Sequence, residues 1–259
     1  MTHTFYKYQG TGNDFVMIDN RQSIFNKKNT KLVAHLCDRR FGIGADGLIL
    51  LESHDTYDFK MVYFNADGNE SSMCGNGGRC ITAFAKHLGI IQDKAVFEAI
   101  DGLHHARIEG DLVHLQMQDV SDVQHHPGHV FLNTGSPHHV QMEQQLDVLD
   151  VKTQGAKIRY GQPYNSSGSN VNFVSKISND IFSVRTYERG VEDETLSCGT
   201  GVTAVALAMN YTGETNMNKV TLKTPGGDLK VSFEKSNDGY RNIWLIGPAL
   251  LVFKGTISW

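Results

Sequence analysis

Two stretches of this chain repeat each other 124 positions apart. Tyr63 falls on Tyr187, Glu70 on Glu194, Cys74 on Cys198, Gly75 on Gly199, Gly77 on Gly201 and Gly89 on Gly213, with no gap between the pairs. A shift of 123 also brings Thr11-Gly12-Asn13 onto Thr134-Gly135-Ser136. Each half reads as strand, Thr-Gly turn, further strands, then a strand leading into Cys-Gly-x-Gly and a helix. Chance likeness between glycine-rich turns does not account for a match that keeps both order and surroundings. Two such halves would pack about a pseudo-twofold axis that carries Cys74 to Cys198. On this reading the two thiols face each other across a shared cleft.

The hydrophobic patterning predicts a strand-rich α+β chain. Period-2 alternation marks strands near 4–9, 14–19, 47–53, 57–65, 94–101, 103–109 and 111–118. The later half repeats the style near 129–133, 138–143, 170–177, 180–188, 217–224, 227–234, 240–246 and 249–257. Helical spacing marks 30–40, 76–88, 145–154 and 199–211. Gly89 stands where a helix ending at Leu88 wants a glycine. The turn-rich stretch 161–169 reads as a loop.

At 259 residues the chain can bury a core without disulfide staples. No basic segment followed by an apolar run opens it, and no apolar stretch approaches the roughly 18 residues of a membrane span. A net charge of −4 with scattered Lys and Arg argues against nucleic acid or an anionic membrane as partner. The four cysteines then read as reduced thiols of a cytoplasmic protein. The twelve histidines fall mostly in pairs on strand-like stretches, and none has the spacing of a metal site.

Each Cys-Gly-x-Gly opens a helix, and a helix start presents unpaired N–H groups and the positive end of the dipole. A thiolate is favoured there, which lowers the cysteine pKa from its ordinary value. The glycines also let a substrate carboxylate approach the backbone N–H groups. A carboxylate held between two such helix starts places its α-carbon between two sulfurs. One thiolate as base and one thiol as acid then invert that carbon without moving the substrate. No cofactor is needed. Neither a GxGxxG after a strand nor a lysine motif for a pyridoxal Schiff base is found, and Gly10-Thr11-Gly12 and Gly42-Ile43-Gly44 are weak phosphate-loop signals.

At these residues the chain resembles the diaminopimelate epimerase family over essentially its whole length. The resemblance is carried by Gly10-Thr11-Gly12-Asn13-Asp14-Phe15, Phe41-Gly42-Ile43-Gly44-Ala45-Asp46-Gly47, Phe64-Asn65-Ala66-Asp67-Gly68 and Met73-Cys74-Gly75-Asn76-Gly77. It continues through Asn170-Val171-Asn172-Phe173, Tyr187-Glu188-Arg189-Gly190, Cys198-Gly199-Thr200-Gly201, Thr224-Pro225-Gly226-Gly227 and Gly247-Pro248-Ala249. It implies conversion of LL-diaminopimelate to the meso form, in lysine and peptidoglycan biosynthesis. It also implies two pseudo-symmetric domains, each a strand-rich barrel around a central helix, with the active site in the interdomain cleft. We place the N-terminal half at 1–118, completed by the last strand at about 250–259, and the C-terminal half at 119–249. Homodimers and closure over the substrate are expected of the family.

Roles carried over by position make Cys74 and Cys198 the base/acid pair. Backbone N–H groups at Gly75, Asn76, Gly199 and Thr200 hold the reacting carboxylate. Asn13, Asn65, Asn172 and Arg189 bind polar groups of the substrate, with Arg189 forking onto the distal carboxylate. Glu188 meets the reacting ammonium, and His138 orients groups near the thiols. Two positions depart from the family: Ser136 stands where asparagine is frequent before a proline, and Gly47 where some members have glutamine. Both bear on distal-end recognition rather than on thiol chemistry.

Blander readings apply elsewhere. Cys80 and Cys37 read as core, the remaining histidines as surface residues, and Arg159 and Arg185 as solvated charges. Of His138 and His139, opposite strand faces let only one reach the cleft. A proline or hydroxyproline racemase is the nearest rival, but that class tends to have histidine where this chain has Asn76, and it has little use for Arg189. A non-enzymatic metal-binding or redox-sensing protein is the rival from another class. Its four cysteines would need a zinc spacing that they lack.

Overall fold

The computed structural model describes residues 1–259, and the chain divides into two units, Met1–Leu115 with Gly247–Trp259, and Gln116–Ile246. The first unit runs β1 (Thr2–Gly10), β2 (Asn13–Asp19), α1 (Thr30–Cys37), β3 (Gly47–Glu52), β4 (Phe59–Asn65) and β5 (Glu70–Ser71). Then come α2 (Gly75–His87), β6 (Lys94–Ala99), β7 (Gly102–Glu109) and β8 (Leu112–Gln116). The second unit runs β9 (Val123–His126), β10 (His129–Asn133), β11 (Pro137–Met142), a 3-10 turn (Leu146–Val148) and α3 (Val151–Tyr160). It continues with β12 (Asn170–Lys176), β13 (Ile181–Glu188), β14 (Asp193–Thr195), α4 (Gly199–Tyr211), β15 (Lys219–Thr224), β16 (Gly227–Ser236) and β17 (Gly239–Pro248), whose last two residues, Gly247 and Pro248, belong to the first unit. The last strand is β18 (Leu250–Ser258).

The repeat in the sequence is a repeat of topology. In the first unit β18 pairs antiparallel with β1, β1 antiparallel with β2, β2 parallel with β3 and β3 antiparallel with β4. Next, β4 pairs antiparallel with β5 and parallel with β6, and antiparallel pairing links β6 to β7 and β7 to β8. In the second unit β9, β10, β11, β12, β13, β14, β15 and β16 repeat these polarities through the same steps, and β16 pairs antiparallel with β17. The strand that stands beside β1 is therefore the last one in the chain, whereas its counterpart β9 directly precedes β10.

Each unit is built on one buried helix. α2 and α4 have 13 residues each and are offset by the same 124 positions as the cysteines. Gly89 and Gly213 follow them with φ of 72° and 80°, a left-handed conformation that glycine adopts without a Cβ clash. α4 uses small apolar residues, Val202, Ala204, Val205, Ala206, Leu207 and Ala208, all 0% exposed, so strands pack round its whole circumference. On α2, Phe84 is 0% exposed and packs against the rings of Tyr6 and Tyr8. β3 is sandwiched, with Leu48 and Leu50 in the core around α1 and Ile49 beside α2, which explains its nearly unbroken apolar run. No helix is long and apolar enough to cross a membrane.

The third helix departs from the predicted 145–154. A 3-10 turn at Leu146–Val148 ends in extended backbone at Leu149, and α3 starts afresh at Val151. Asp150 caps it, accepting the Thr153 N–H at 3.0 Å. Gly155, which looks like a helix breaker, lies against Tyr187, where a Cβ would collide with the ring. The first helix likewise stops at Cys37 rather than at 40, because the Asp38 carboxylate takes the N–H groups of Arg40 and Phe41 at 2.7 Å each. The short strands β5, β9 and β14 are additions that patterning did not find.

Candidate active site

In the first unit Cys74 is the residue that caps α2. Its sulfur accepts the Gly77 N–H at 3.2 Å and its thiol lies 3.9 Å from the Asn13 carboxamide oxygen. The Asn76 side chain donates to the same oxygen at 3.3 Å. Asn13 begins β2, directly after Thr11 and Gly12, whose φ values of 51° and 87° make the tight turn with two positive φ that joins a twisted hairpin. A β-branched residue is rarely found at such a φ. Thr11 is buried there, and its hydroxyl accepts from Arg79 at 3.2 Å.

Asn13 is held from behind. Its amide donates to Asp46 at 2.6 Å, and Arg39 bridges Asp46 and Asp14. Lys7 pairs with Asp14 at 2.7 Å. Burial acts to raise the Asp14 pKa, but the hydrogen bonds and charges of Arg39 and Lys7 outweigh it and hold the carboxyl well below the usual range. Asn65 is not part of this cluster: it ends β4 opposite Gly47, exposed, and only its backbone is engaged in the turn to Asn69.

In the second unit Cys198 stands at the N-cap position of α4, 7% exposed, with the Thr200 hydroxyl, rather than a backbone N–H of the first turn, 3.5 Å from its sulfur. The Thr200 carbonyl accepts from Thr134, the counterpart of Thr11. Asn172, fully buried on β12, donates to Nδ1 of His138 at 3.1 Å and to the His139 carbonyl at 3.0 Å, and accepts from Thr186 at 3.0 Å. Its oxygen occupies the space left by the missing Cβ of Gly201, beside Cys198. His138 is 0% exposed, and burial, with Arg189 nearby, pushes its pKa down to about 3. The ring is neutral at pH 7. With Nδ1 accepting, Nε2 carries the proton, and it has no hydrogen-bond partner in the protein.

Glu188 ends β13 and Arg189 opens the turn that follows, half-buried and exposed respectively. The Arg189 guanidinium donates to Ser167 at 2.9 Å, and its backbone N–H is fixed by Asn170. Asn170 also donates to the Ser136 hydroxyl and the Pro137 carbonyl, tying Arg189 to the turn equivalent to that of Asn13. The structure thus brings Asn13, Cys74, Gly75 and Asn76 together in one cluster, and His138, Asn172, Cys198, Gly199 and Thr200 in another.

Four residues of these clusters escaped the sequence reading: Asp46, Arg79, Thr134 and Asn170. Period-2 alternation offered a signal for one of them, since Asn170 shares a strand face with Asn172. Other expectations need correction. His139 is buried, not at the surface, with its ring nitrogens beside the Tyr164 hydroxyl and Gln141, and His114 is buried too. Arg185 is not a solvated charge. Glu194 grips it through two 2.7 Å contacts, and it donates to the Leu146 and Leu149 carbonyls ahead of α3. Arg159 is only 9% exposed and reaches Asn165 and Glu192. Cys37 and Cys80 lie in the core as expected, and burial pushes both thiols up to about 12, so neither ionises near neutrality.

The family model described as diaminopimelate epimerase matches residues 5–121 and 130–252. A diaminopimelate epimerase of Flavobacterium psychrophilum is 63% identical over 253 residues, covering 97% of this chain and 99% of that protein. The Chlorobaculum tepidum diaminopimelate epimerase is 45% identical over 262 residues, covering 96% and 99%. Among solved structures, a Bacillus anthracis phenazine biosynthesis protein of the PhzF family matches with a TM-score of 0.81 at 12% identity, covering 100% of both chains. A hydroxyproline epimerase from Agrobacterium vitis matches with a TM-score of 0.68 at 13% identity, covering 99% and 92%. At such identities these two structures share the fold only.

Proposed function

The chain belongs to the diaminopimelate epimerase family, and on that premise we propose that it converts LL-2,6-diaminopimelate to the meso isomer by thiol-mediated proton transfer at one α-carbon. The observation that carries the mechanism is the placing of Cys74 and Cys198 at equivalent helix starts of two repeated units. Inversion by this route requires one α-carbon to meet both sulfurs, one thiolate removing the proton and the other thiol returning one to the opposite face. Both sulfurs stand where a helix dipole favours a thiolate.

At Cys74 the Gly77 N–H donates to the sulfur and the Gly78 N–H to the Cys74 carbonyl. The Gly75 and Asn76 N–H groups, with Gly199 and Thr200 in the other unit, are then the donors for the substrate carboxylate. Asn13, Asn65, Asn172 and Arg189 would bind the remaining polar groups, and Glu188 the reacting ammonium. The buried Nε2–H of His138 is a donor for a substrate group beside Cys198. Neutralising the carboxylate with these fixed dipoles favours the carbanionic transition state. The scheme calls on no cofactor.

A place in lysine and peptidoglycan biosynthesis follows from the product, and we place the enzyme in the cytoplasm with the rest of that chemistry. We further propose a homodimer. In its support, Leu250, Leu251, Val252 and Phe253 run along β18 with 41–56% of each residue exposed, apolar surface that a second copy would cover.

The reading is tested by incubating reduced protein with LL-diaminopimelate in deuterated water, without added cofactor, beside Cys74→Ala and Cys198→Ala. Meso product with deuterium at one α-carbon, abolished in both variants, supports it. Turnover of proline or hydroxyproline instead, with no turnover of diaminopimelate, would sink it.

A further inference from the structure

Arg79 is 0% exposed, a guanidinium sealed inside the first unit. It donates to the Gly75 carbonyl at 3.3 Å, the Asn76 carboxamide at 3.0 Å, the Thr11 hydroxyl at 3.2 Å and the Pro248 carbonyl at 3.4 Å. All four acceptors are neutral. A buried charge ordinarily has an opposite charge beside it. Here the titratable groups acting on Arg79 are Cys80 and Cys74, both at its own end of α2. Burial pushes the guanidinium down to about 10, so it stays cationic at neutral pH. Cys80, pushed up to about 12, stays a thiol. A Cys74 thiolate is the anion left to balance the charge.

The second unit has no arginine at the equivalent position. The 124-residue shift takes Arg79 to Thr203, whose hydroxyl donates to the Gly199 carbonyl at 2.9 Å. Thr203 thus serves the carbonyl equivalent to the one Arg79 serves, without a charge. His138, which Asn172 links to the space beside Cys198, is neutral, and the Arg189 guanidinium that acts on His138 is exposed and shares its field with water.

The other ionisable groups around α2 do not cancel the Arg79 charge at Cys74. On β1, Tyr6 and Tyr8 are buried phenols, and burial pushes the Tyr8 pKa further up. β3 brings apolar Ile49, and Lys254 of β18 lies over the Tyr6 ring. Asp14 and Asp46, beyond Asn13, are paired with Lys7 and Arg39. Asp101 accepts the Met73 N–H at 3.4 Å, but it is exposed and lies beside His104 at the start of β7.

We infer that Arg79 is a positioning residue that makes Cys74 the resting thiolate and leaves Cys198 the resting thiol, so that the two repeated thiols are chemically distinct before substrate arrives. Its catalytic meaning rests on the paired-thiol reading above, although the charge bias itself is measurable without turnover. Through Asn76 and the Gly75 carbonyl, Arg79 also fixes the first turn that presents N–H groups beside Cys74.

The test is alkylation of substrate-free, reduced protein by iodoacetamide across pH 5 to 9, with mass spectrometry of the two cysteine peptides. The midpoint of each pH profile is read, not the absolute rate, because Cys198 is the more buried thiol. We expect the Cys74 midpoint to lie about one pH unit or more below that of Cys198, the effect of one nearby cation. Arg79→Met raises the Cys74 midpoint by a similar amount and leaves Cys198 in place, while Arg79→Lys keeps most of the bias. Equal or reversed midpoints in the wild type overturn the inference, and so does a folded Arg79→Met with an unmoved Cys74 profile. If Arg79→Met does not fold, the wild-type order and Arg79→Lys decide. Epimerase assays run in parallel separate the two ideas, since loss of the diaminopimelate reaction leaves the alkylation order untouched.

Discussion

The carboxamide oxygen of Asn172 lies 2.5 Å from the point where a Cβ on Gly201 would stand, and the Cys198 sulfur lies 3.3 Å from the same point. Glycine at 201 is thus what lets a buried amide and the Cys198 thiol at the start of α4 share one space. Asn172 cannot swing away, because His138, the His139 carbonyl and Thr186 all hold it. Gly201→Ala would ordinarily favour a helix by about 1 kcal/mol. Here we expect a net loss of about 1–3 kcal/mol from overpacking, and a fall in kcat of about a hundredfold as the sulfur is displaced. The equivalent Gly77→Ala meets only 3.2–3.3 Å contacts with Cys74, Ile49 and Met61, so it is the milder change. Melting curves and steady-state kinetics of the two variants, side by side, check the ranking.

Acid weakens this protein through its buried histidines. Burial, first among the causes, pushes His138 down to about 3 and His139 down to about 4, from an ordinary value of 6.5. In the unfolded chain both bind protons below about pH 6.5, whereas in the folded chain both stay neutral to lower pH. Stability is therefore full above about pH 6.5 and is lost as pH falls toward 4. At pH 5 each histidine accounts for a loss of about 2 kcal/mol. His139→Gln removes about half of the decline in denaturant midpoint between pH 7 and 5. An unchanged decline would show that the loss comes from other groups.

Arg185 is a tie between β13, β14 and the turn ahead of α3. Arg185→Leu leaves two carbonyls and Glu194 without their donor, which we expect to cost about 1–3 kcal/mol. The thiols are untouched, so kcat stays within about twofold of wild type. Chemical denaturation and kinetics together check this, and a large fall in kcat in stable protein would refute it.

Asp46 acts on Asn13 through a 2.6 Å hydrogen bond. Asp46→Ala frees Asn13 to rotate and breaks one arm of Arg39. We expect KM for diaminopimelate to rise by about tenfold, with a smaller change in kcat, as for loss of a supporting group. A fall confined to kcat would contradict the assignment of Asn13 as a substrate-binding residue.

The proposed dimer gives a further check. Leu251→Asp places a charge on the apolar run of β18, an exposed site where it costs the protomer little. Sedimentation is expected to shift from two copies to one. A protein that is monomeric before the change would rule the dimer out.

Much of this was legible because it is local. Helix starts at Gly75 and Gly199, their glycine stops at Gly89 and Gly213, and the strand alternation all depend on residues a few positions apart. The repeat added a long-range constraint, because two copies of one pattern must fold alike. Cys74 and Cys198 stood out on those grounds alone. Tertiary structure decided what depends on distant neighbours. Asp150 rather than Gln145 starts α3, because the chain is pulled extended at Leu149 where Arg185 takes its carbonyl. Arg159, Arg185 and His139 look like surface residues in sequence, since no local pattern says which polar side chain another strand will cover. Arg79 is the sharpest case. As a sequence it is one basic residue next to Cys80, and only packing strips it of water, denies it a carboxylate and sets it beside Cys74.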